Sequence, residues 1–104
     1  MMRTVDLVVT GDGSAARAAV ISALKRCQRV LVVLRSADAR GAQRLRRTLL
    51  RGAPADSGQL SVRTGAEVVC VDGVNRVEAV VVRHAPTGRL SAVNAAAFLS
   101  FDGS

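Results

Sequence analysis

Residues Thr4 to Ala16 read T-V-D-L-V-V-T-G-D-G-S-A-A, and this stretch decides the fold. Thr4 to Thr10 is a short β-branched and apolar run, and Gly11-Asp12-Gly13 punctuates it as a strand entering a tight turn. From Ser14 to Arg26 the chain is Ala-rich, with Ala16, Ala19, Val20, Ala23 and Leu24 at helical spacing. Lys25 and Arg26 sit where cations suit a helix C-terminus. Arg29 to Leu34, R-V-L-V-V-L, is a continuous apolar run of the kind buried on both faces in parallel sheets. Strand, helix and strand make a βαβ unit of about 30 residues.

The remaining segments extend that unit. A second helix is expected from about Asp38 to Arg51, with Ala42, Leu45 and Leu49 inward, Arg40, Arg44, Arg47 and Arg51 outward, and Asp38 as its N-cap. Gly52 to Gly58, containing Pro54, Asp56 and Ser57, reads as a loop. Leu60 to Arg63 is a short strand. Glu67 to Val71 and Arg76 to Arg83 are strands joined across Asp72-Gly73-Val74-Asn75, a hairpin signal. After the turn Ala85-Pro86-Thr87-Gly88, Leu90 to Asn94 completes an antiparallel meander, and Ala95 to Phe101 is expected to return to the parallel sheet. The predicted class is α/β: a small Rossmann-like βαβ domain with a parallel sheet and an antiparallel three-stranded meander.

Size and composition set limits on this reading. The 104 residues suit a single domain, 1–104, rather than a complete two-domain enzyme. Hydrophobic residues make up 49% and aromatics 2%, so an aliphatic core is affordable while stacking platforms for single-stranded nucleic acid are absent. The net charge of +7 is local: Arg17 to Arg51 holds ten basic residues and one acid. Such a ridge suits phosphates or an acidic surface. With no nucleic-acid motif beside it, nucleic acid is set aside as a partner. No apolar run reaches the roughly 20 residues that span a bilayer, and the N-terminus enters a strand directly, so no membrane association, no export signal and a cytoplasmic location are expected. Cys27 and Cys70 fit no metal or Cys-x-x-Cys spacing and are expected to be buried thiols. His84 reads as a surface histidine with no ligand partner nearby, and no metal site is expected.

Gly11-Asp12-Gly13-Ser14-Ala15-Ala16 has the form G-x-G-x-x-A, between a strand and a helix. In a dinucleotide site Gly11 permits the tight turn, Gly13 lets a pyrophosphate approach the backbone, and Ala16 allows close helix packing. Ser14, Ala15 and Ala16 would offer free N–H groups at the helix N-terminus. An NAD site usually carries an acid about 20 residues further on, at the end of the second strand, whereas an NADP site places Arg near the 2′-phosphate. Here that position is Arg35, with Arg40 following in the second helix. The same features are compatible with a structural turn and a solvated basic helix start.

These strands, Arg35, Arg40 and the meander V-R-T-G-A-E-V-V-C-V-D-G-V-N-R-V-E-A-V-V-V-R from Val62 to Arg83 resemble the NADPH domain of thioredoxin-reductase-like flavoproteins, among the pyridine nucleotide-disulfide oxidoreductases. The resemblance runs from about Val5 to Phe101. It implies that Gly11, Gly13, Ser14, Ala15 and Ala16 bound a pyrophosphate pocket and that Arg35 and Arg40 hold the 2′-phosphate of NADP(H). The family's H-R-R-x-x-x-R stretch is changed at two places, with Leu34 for His and Ser36 for the middle Arg. Its redox Cys-x-x-Cys is absent, and so is its FAD domain, so FAD is not expected to be held by this chain alone. A flavoprotein partner or a homodimer is then implied, because a nicotinamide needs an acceptor placed against it. Two other readings stay open on the residues: a degenerate member serving as a non-catalytic interaction or ligand-binding module, and a cofactor-independent enzyme on the same scaffold.

Overall fold

The computed structural model of the chain describes residues 3–53, 58–73 and 76–101. The elements follow as β1 (Arg3–Thr10), α1 (Ser14–Lys25), β2 (Val30–Val33), α2 (Ala39–Gly52), β3 (Leu60–Arg63), β4 (Ala66–Asp72), β5 (Ala79–His84) and β6 (Arg89–Ser100). One six-stranded sheet has the order β3-β2-β1-β6-β5-β4. The pairs β3/β2, β2/β1 and β1/β6 are parallel, and β6/β5 and β5/β4 are antiparallel. This is the α/β, Rossmann-like arrangement of a parallel sheet with an antiparallel meander. Pro54 to Ser57 of the expected loop, and Val74 and Asn75 of the expected hairpin turn, lie outside the described residues.

Two clusters form the core, one on each face of the parallel strands. On the helical face Leu7, Val9, Val30 and Val32 pack against Ala16, Val20 and Leu24 of α1 and against Leu45 and Leu49 of α2. On the other face Val5, Val8, Leu31 and Val33 meet Ala66, Val80, Val82, Val93 and Ala95 from the meander strands. The alternation along β1 and β2 is therefore apolar on both sides, as a strand covered by two layers requires. The inward residues of α2 are those expected, and Arg40, Arg44, Arg47 and Arg51 are exposed.

The C-terminal strands differ from expectation. Leu90 to Asn94 and Ala95 to Phe101 are one continuous strand: the first part of β6 pairs with β5 from Arg89↔His84 to Asn94↔Ala79, and the later part pairs with β1 from Val93↔Arg3 to Ser100↔Thr10. No Gly or Pro interrupts Leu90 to Ser100, so nothing in the chain forces a break between the two ladders. The strand expected from Arg76 starts at Ala79, because the chain first closes tightly: Glu78 N–H donates to the Asp72 carbonyl at 2.9 Å, and a Cβ on Gly73 would collide with the Arg76 carbonyl oxygen.

Both cysteines are exposed, which corrects the expectation of buried thiols. Cys70 lies on β4 next to an irregularity in its ladder with β5, on a stretch of strand that faces solvent. Cys27 terminates α1. Its N–H donates to the Leu24 carbonyl at 3.0 Å and the Gln28 N–H donates to the Ala23 carbonyl at 3.1 Å, the paired bonds of a Schellman motif. The motif places Cys27 at φ +59, a conformation that glycine adopts without a Cβ penalty. Cys27→Gly is therefore expected to raise stability by about 0.5–1 kcal/mol, the relief of strain exceeding the added freedom of the unfolded chain. Urea denaturation followed by circular dichroism would check this, and a lower midpoint would contradict it.

Candidate functional site

The carboxyl ends of the parallel strands converge at the glycine turn. Thr10 stands opposite Val33 of β2 and Ser100 of β6. Its buried hydroxyl donates to Ser100 Oγ at 3.1 Å, and its carbonyl accepts from Phe101 N–H at 3.0 Å. The chain then turns at Gly11, whose φ of +106 is one that a side chain would strain. In open α/β sheets this end of the strands is where ligands bind.

Gly13 is the N-cap of α1 with φ −71 and ψ 177, and it supplies no side-chain cap. Arg17 N–H makes the first helical bond, to the Gly13 carbonyl at 3.0 Å. The N–H groups of Ser14, Ala15 and Ala16 meet no acceptor among the described residues. Three free donors and the positive end of the helix dipole thus face outward together. Ala16 is 1% exposed and packs beneath the turn, while Ser14 and Ala15 are exposed. An ordinary backbone and open space are all that a Cβ on Gly13 would find, so neither packing nor backbone conformation demands glycine there beyond the N-cap preference.

Arg35 leaves the end of β2 beside the glycine turn, since Thr10 and Val33 are paired and the two connections start side by side. It is exposed, with no acid at the strand end. Asp38 caps α2 as expected, accepting from Arg40 N–H at 3.1 Å, and its own N–H donates to Ser36 Oγ at 3.1 Å. Gly65 anchors this connection to the meander: its N–H donates to the Ser36 carbonyl at 2.9 Å and its carbonyl accepts from Ala85 N–H at 2.8 Å.

Between the α1 turn and α2 lies an open cleft of about 420 Å³, bounded by Asp12, Arg17, Ser36, Asp38, Arg44 and Thr48 among others. Arg35 and Arg40 do not line it. Arg40 instead flanks a shallower groove on the outer side of α2, with Gln43, Arg44 and Arg47. Arg17 is held at the glycine turn by donation from its Nε to the Asp12 carbonyl at 2.9 Å. Arg17, Ser36, Arg44 and Thr48 were not singled out by the motif. Arg17 lies four residues after the N-cap Gly13, one helical turn into α1, and that spacing is the signal that points to the first of them.

His84 is exposed and in hydrogen-bond range of the Thr87 hydroxyl through Nδ1, at 3.2 Å. No group of three or more metal-ligating side chains occurs among the described residues, and no helix there is long and apolar enough to cross a membrane.

The class defined by fold and strand order is a Rossmann-like α/β domain with an appended meander. No family model matches the chain, and no curated protein does. Solved structures match across nearly all of it. Thioredoxin reductase from Streptococcus pyogenes aligns over 98% of this chain with TM-score 0.72 and 20% identity, and thioredoxin reductase from Giardia duodenalis over 98% with TM-score 0.73 and 17% identity. The myxobacterial chondrochloren halogenase CndH, a variant of FAD-dependent halogenases, aligns over 94% with TM-score 0.68 and 16% identity. The chain spans 32% of each reductase and 37% of the halogenase. At these identities the likeness is one of fold, and it is to a part of larger oxidoreductases.

Two outcomes follow from this geometry. Gly13→Ala is expected to cost no more than about 1 kcal/mol of stability by urea denaturation, because glycine is the better N-cap while alanine reduces the freedom of the unfolded chain; a larger loss would mean that the fold itself demands the glycine. The Cys70 thiol is held above its ordinary pKa by its hydrogen bond to Asp72 Oδ1, at 3.3 Å, and by the carboxylate's charge. Less thiolate is then present at neutral pH, so Asp72→Asn should lower that pKa and speed alkylation of Cys70. An unchanged pH profile of labelling, read by mass spectrometry, would contradict the assignment.

Proposed function

We propose that this chain is an NADP(H)-binding domain that serves flavin-dependent oxidoreductase chemistry in the cytoplasm, acting with a separate flavoprotein or with a second copy of itself. The observation that carries the reading is Gly13: glycine stands at a position where the fold would accept a side chain, directly in front of three unpartnered helix N–H groups. A pyrophosphate approaching those donors needs the space that a Cβ would fill.

The base of the site supports the choice of nucleotide. With Arg35 at the end of β2 and Arg40 in the first turn of α2, the region offers cations where an NAD site would offer a carboxylate to the ribose 2′-hydroxyl. Gly11, Gly13 and Ala16 would bound the pyrophosphate pocket, Ser14 and Ala15 would donate to it, and Arg35 with Arg40 would hold the 2′-phosphate. Bound NADPH supplies a hydride from its nicotinamide; this chain's residues bind and orient the phosphates, and the flavin acceptor comes from elsewhere. An exposed strip on β6 supports a partner there. Ala97 and Leu99 stand level with Leu7 and Val9 on the helix side of the sheet, and Leu99 is 41% exposed, bordering a groove with Ala19 and Ser22 of α1.

Calorimetric titration of the purified chain with NADPH, NADH and FAD tests the proposal. Saturable NADPH binding is expected, tighter than that of NADH and weakened roughly tenfold by Arg35→Ala, a charged contact to phosphate being lost. No binding of any of the three at millimolar ligand would overturn it.

A further inference from the structure

Arg44 is the one arginine of the α2 ridge that borders both the cleft and the outer groove. Its Nη2 lies 4.0 Å from Asp38 Oδ2, with 74% of the arginine side chain exposed. The two carboxylate oxygens of Asp38 have separate tasks: Oδ1 accepts from the Arg40 N–H and fixes the start of α2, while Oδ2 is directed toward Gly41 and Arg44. A Cβ on Gly41 would come within 2.6 Å of Oδ2, so the missing side chain gives the carboxylate its room beside the cleft.

An exposed pair at this distance is weak and easily exchanged. A phosphate monoester, with up to two charges and three acceptor oxygens, is a stronger partner for a guanidinium than one distant carboxylate oxygen. Ser36 and Thr48 border the same cleft.

We propose that Arg44 is a specificity-determining residue for a ligand's terminal phosphate monoester, and that Asp38 is its built-in competitor. A phosphorylated ligand displaces Asp38 from Arg44; a ligand carrying only hydroxyls there leaves the pair in place. The inference rests on the NADP(H) reading and assigns the 2′-phosphate a contact from the α2 side of the cleft, additional to Arg35 and Arg40.

The test compares 2′,5′-ADP with 5′-AMP, which differ by the 2′-phosphate alone, by calorimetry at low ionic strength, on the wild-type chain and on Arg44→Ala, Arg44→Lys and Asp38→Asn. Asn caps a helix as well as Asp does, so the last variant removes the charge and keeps the cap. Arg44→Ala should weaken 2′,5′-ADP about three- to tenfold and leave 5′-AMP within about twofold, with Arg44→Lys recovering part of the loss. Asp38→Asn should tighten 2′,5′-ADP by about two- to fivefold with an unchanged circular dichroism spectrum. If nucleotides bind but Arg44→Ala leaves the preference for 2′,5′-ADP within about twofold of wild type, or Asp38→Asn does not tighten it, the inference fails and the NADP(H) reading stands. If neither nucleotide binds the wild-type chain at about 5 mM, the NADP(H) reading fails and takes the inference with it.

Discussion

Parallel pairing of β1 with both β2 and β6 is the constraint on which the rest of the molecule depends. Val8 and Val9 at its centre are fully buried, one on each face, so the strand is held by helices on one side and by the meander on the other. A slip of one residue would exchange those faces and place the wrong side chains in each cluster. The register therefore locks, and with it Thr10 comes level with Val33 and Ser100. Two of the proposed ligand contacts are positioned from that line: the glycine turn follows Thr10, and Arg35 follows the end of β2.

The helices contribute charge and shape at the same end. α1 brings free N–H groups and Arg17 to the turn, and α2 brings a row of arginines with no acidic residue of its own. Like charges four apart on a helix oppose its formation by a few tenths of a kcal/mol each. Burial of Leu45 and Leu49 outweighs this, at about 1.5–3 kcal/mol for each fully buried leucine. The core thus carries a helix whose outer face is electrostatically unfavourable in isolation, and an anion bound nearby would relieve it.

Much of this was legible in the residues because the signals were local. The βαβ unit announces itself by apolar period and by glycine between strand and helix, and Asp38 by its place before an apolar-periodic stretch. The continuity of β6 was not legible, since its two ladders depend on partners remote in sequence and Asn94 is no breaker; it faces Ala79 on one side and Thr4 on the other. The exposure of the cysteines is hidden in the sequence for a related reason. Average burial favours thiols inside, but Cys27 is exposed by a helix-ending backbone conformation and Cys70 by the strand stretch on which it sits. In the candidate site, Gly11 to Ala16 and Arg35 form a contiguous reading along the chain, whereas Arg17, Asp38 and Arg44 share a cleft only because two helices begin at the same edge of the sheet.

In the proposed NADP(H) site a dinucleotide's phosphates meet the α1 N-terminus through the space that Gly13 leaves open. Amide chemical shifts recorded during NADPH titration of the isotope-labelled chain report on this directly. Saturable, concerted shifts centred on Gly13, Ser14, Ala15 and Ala16 are expected, with Arg35 moving at the same ligand concentration. Saturable shifts confined to other parts of the surface, or no shifts at millimolar NADPH, would contradict it.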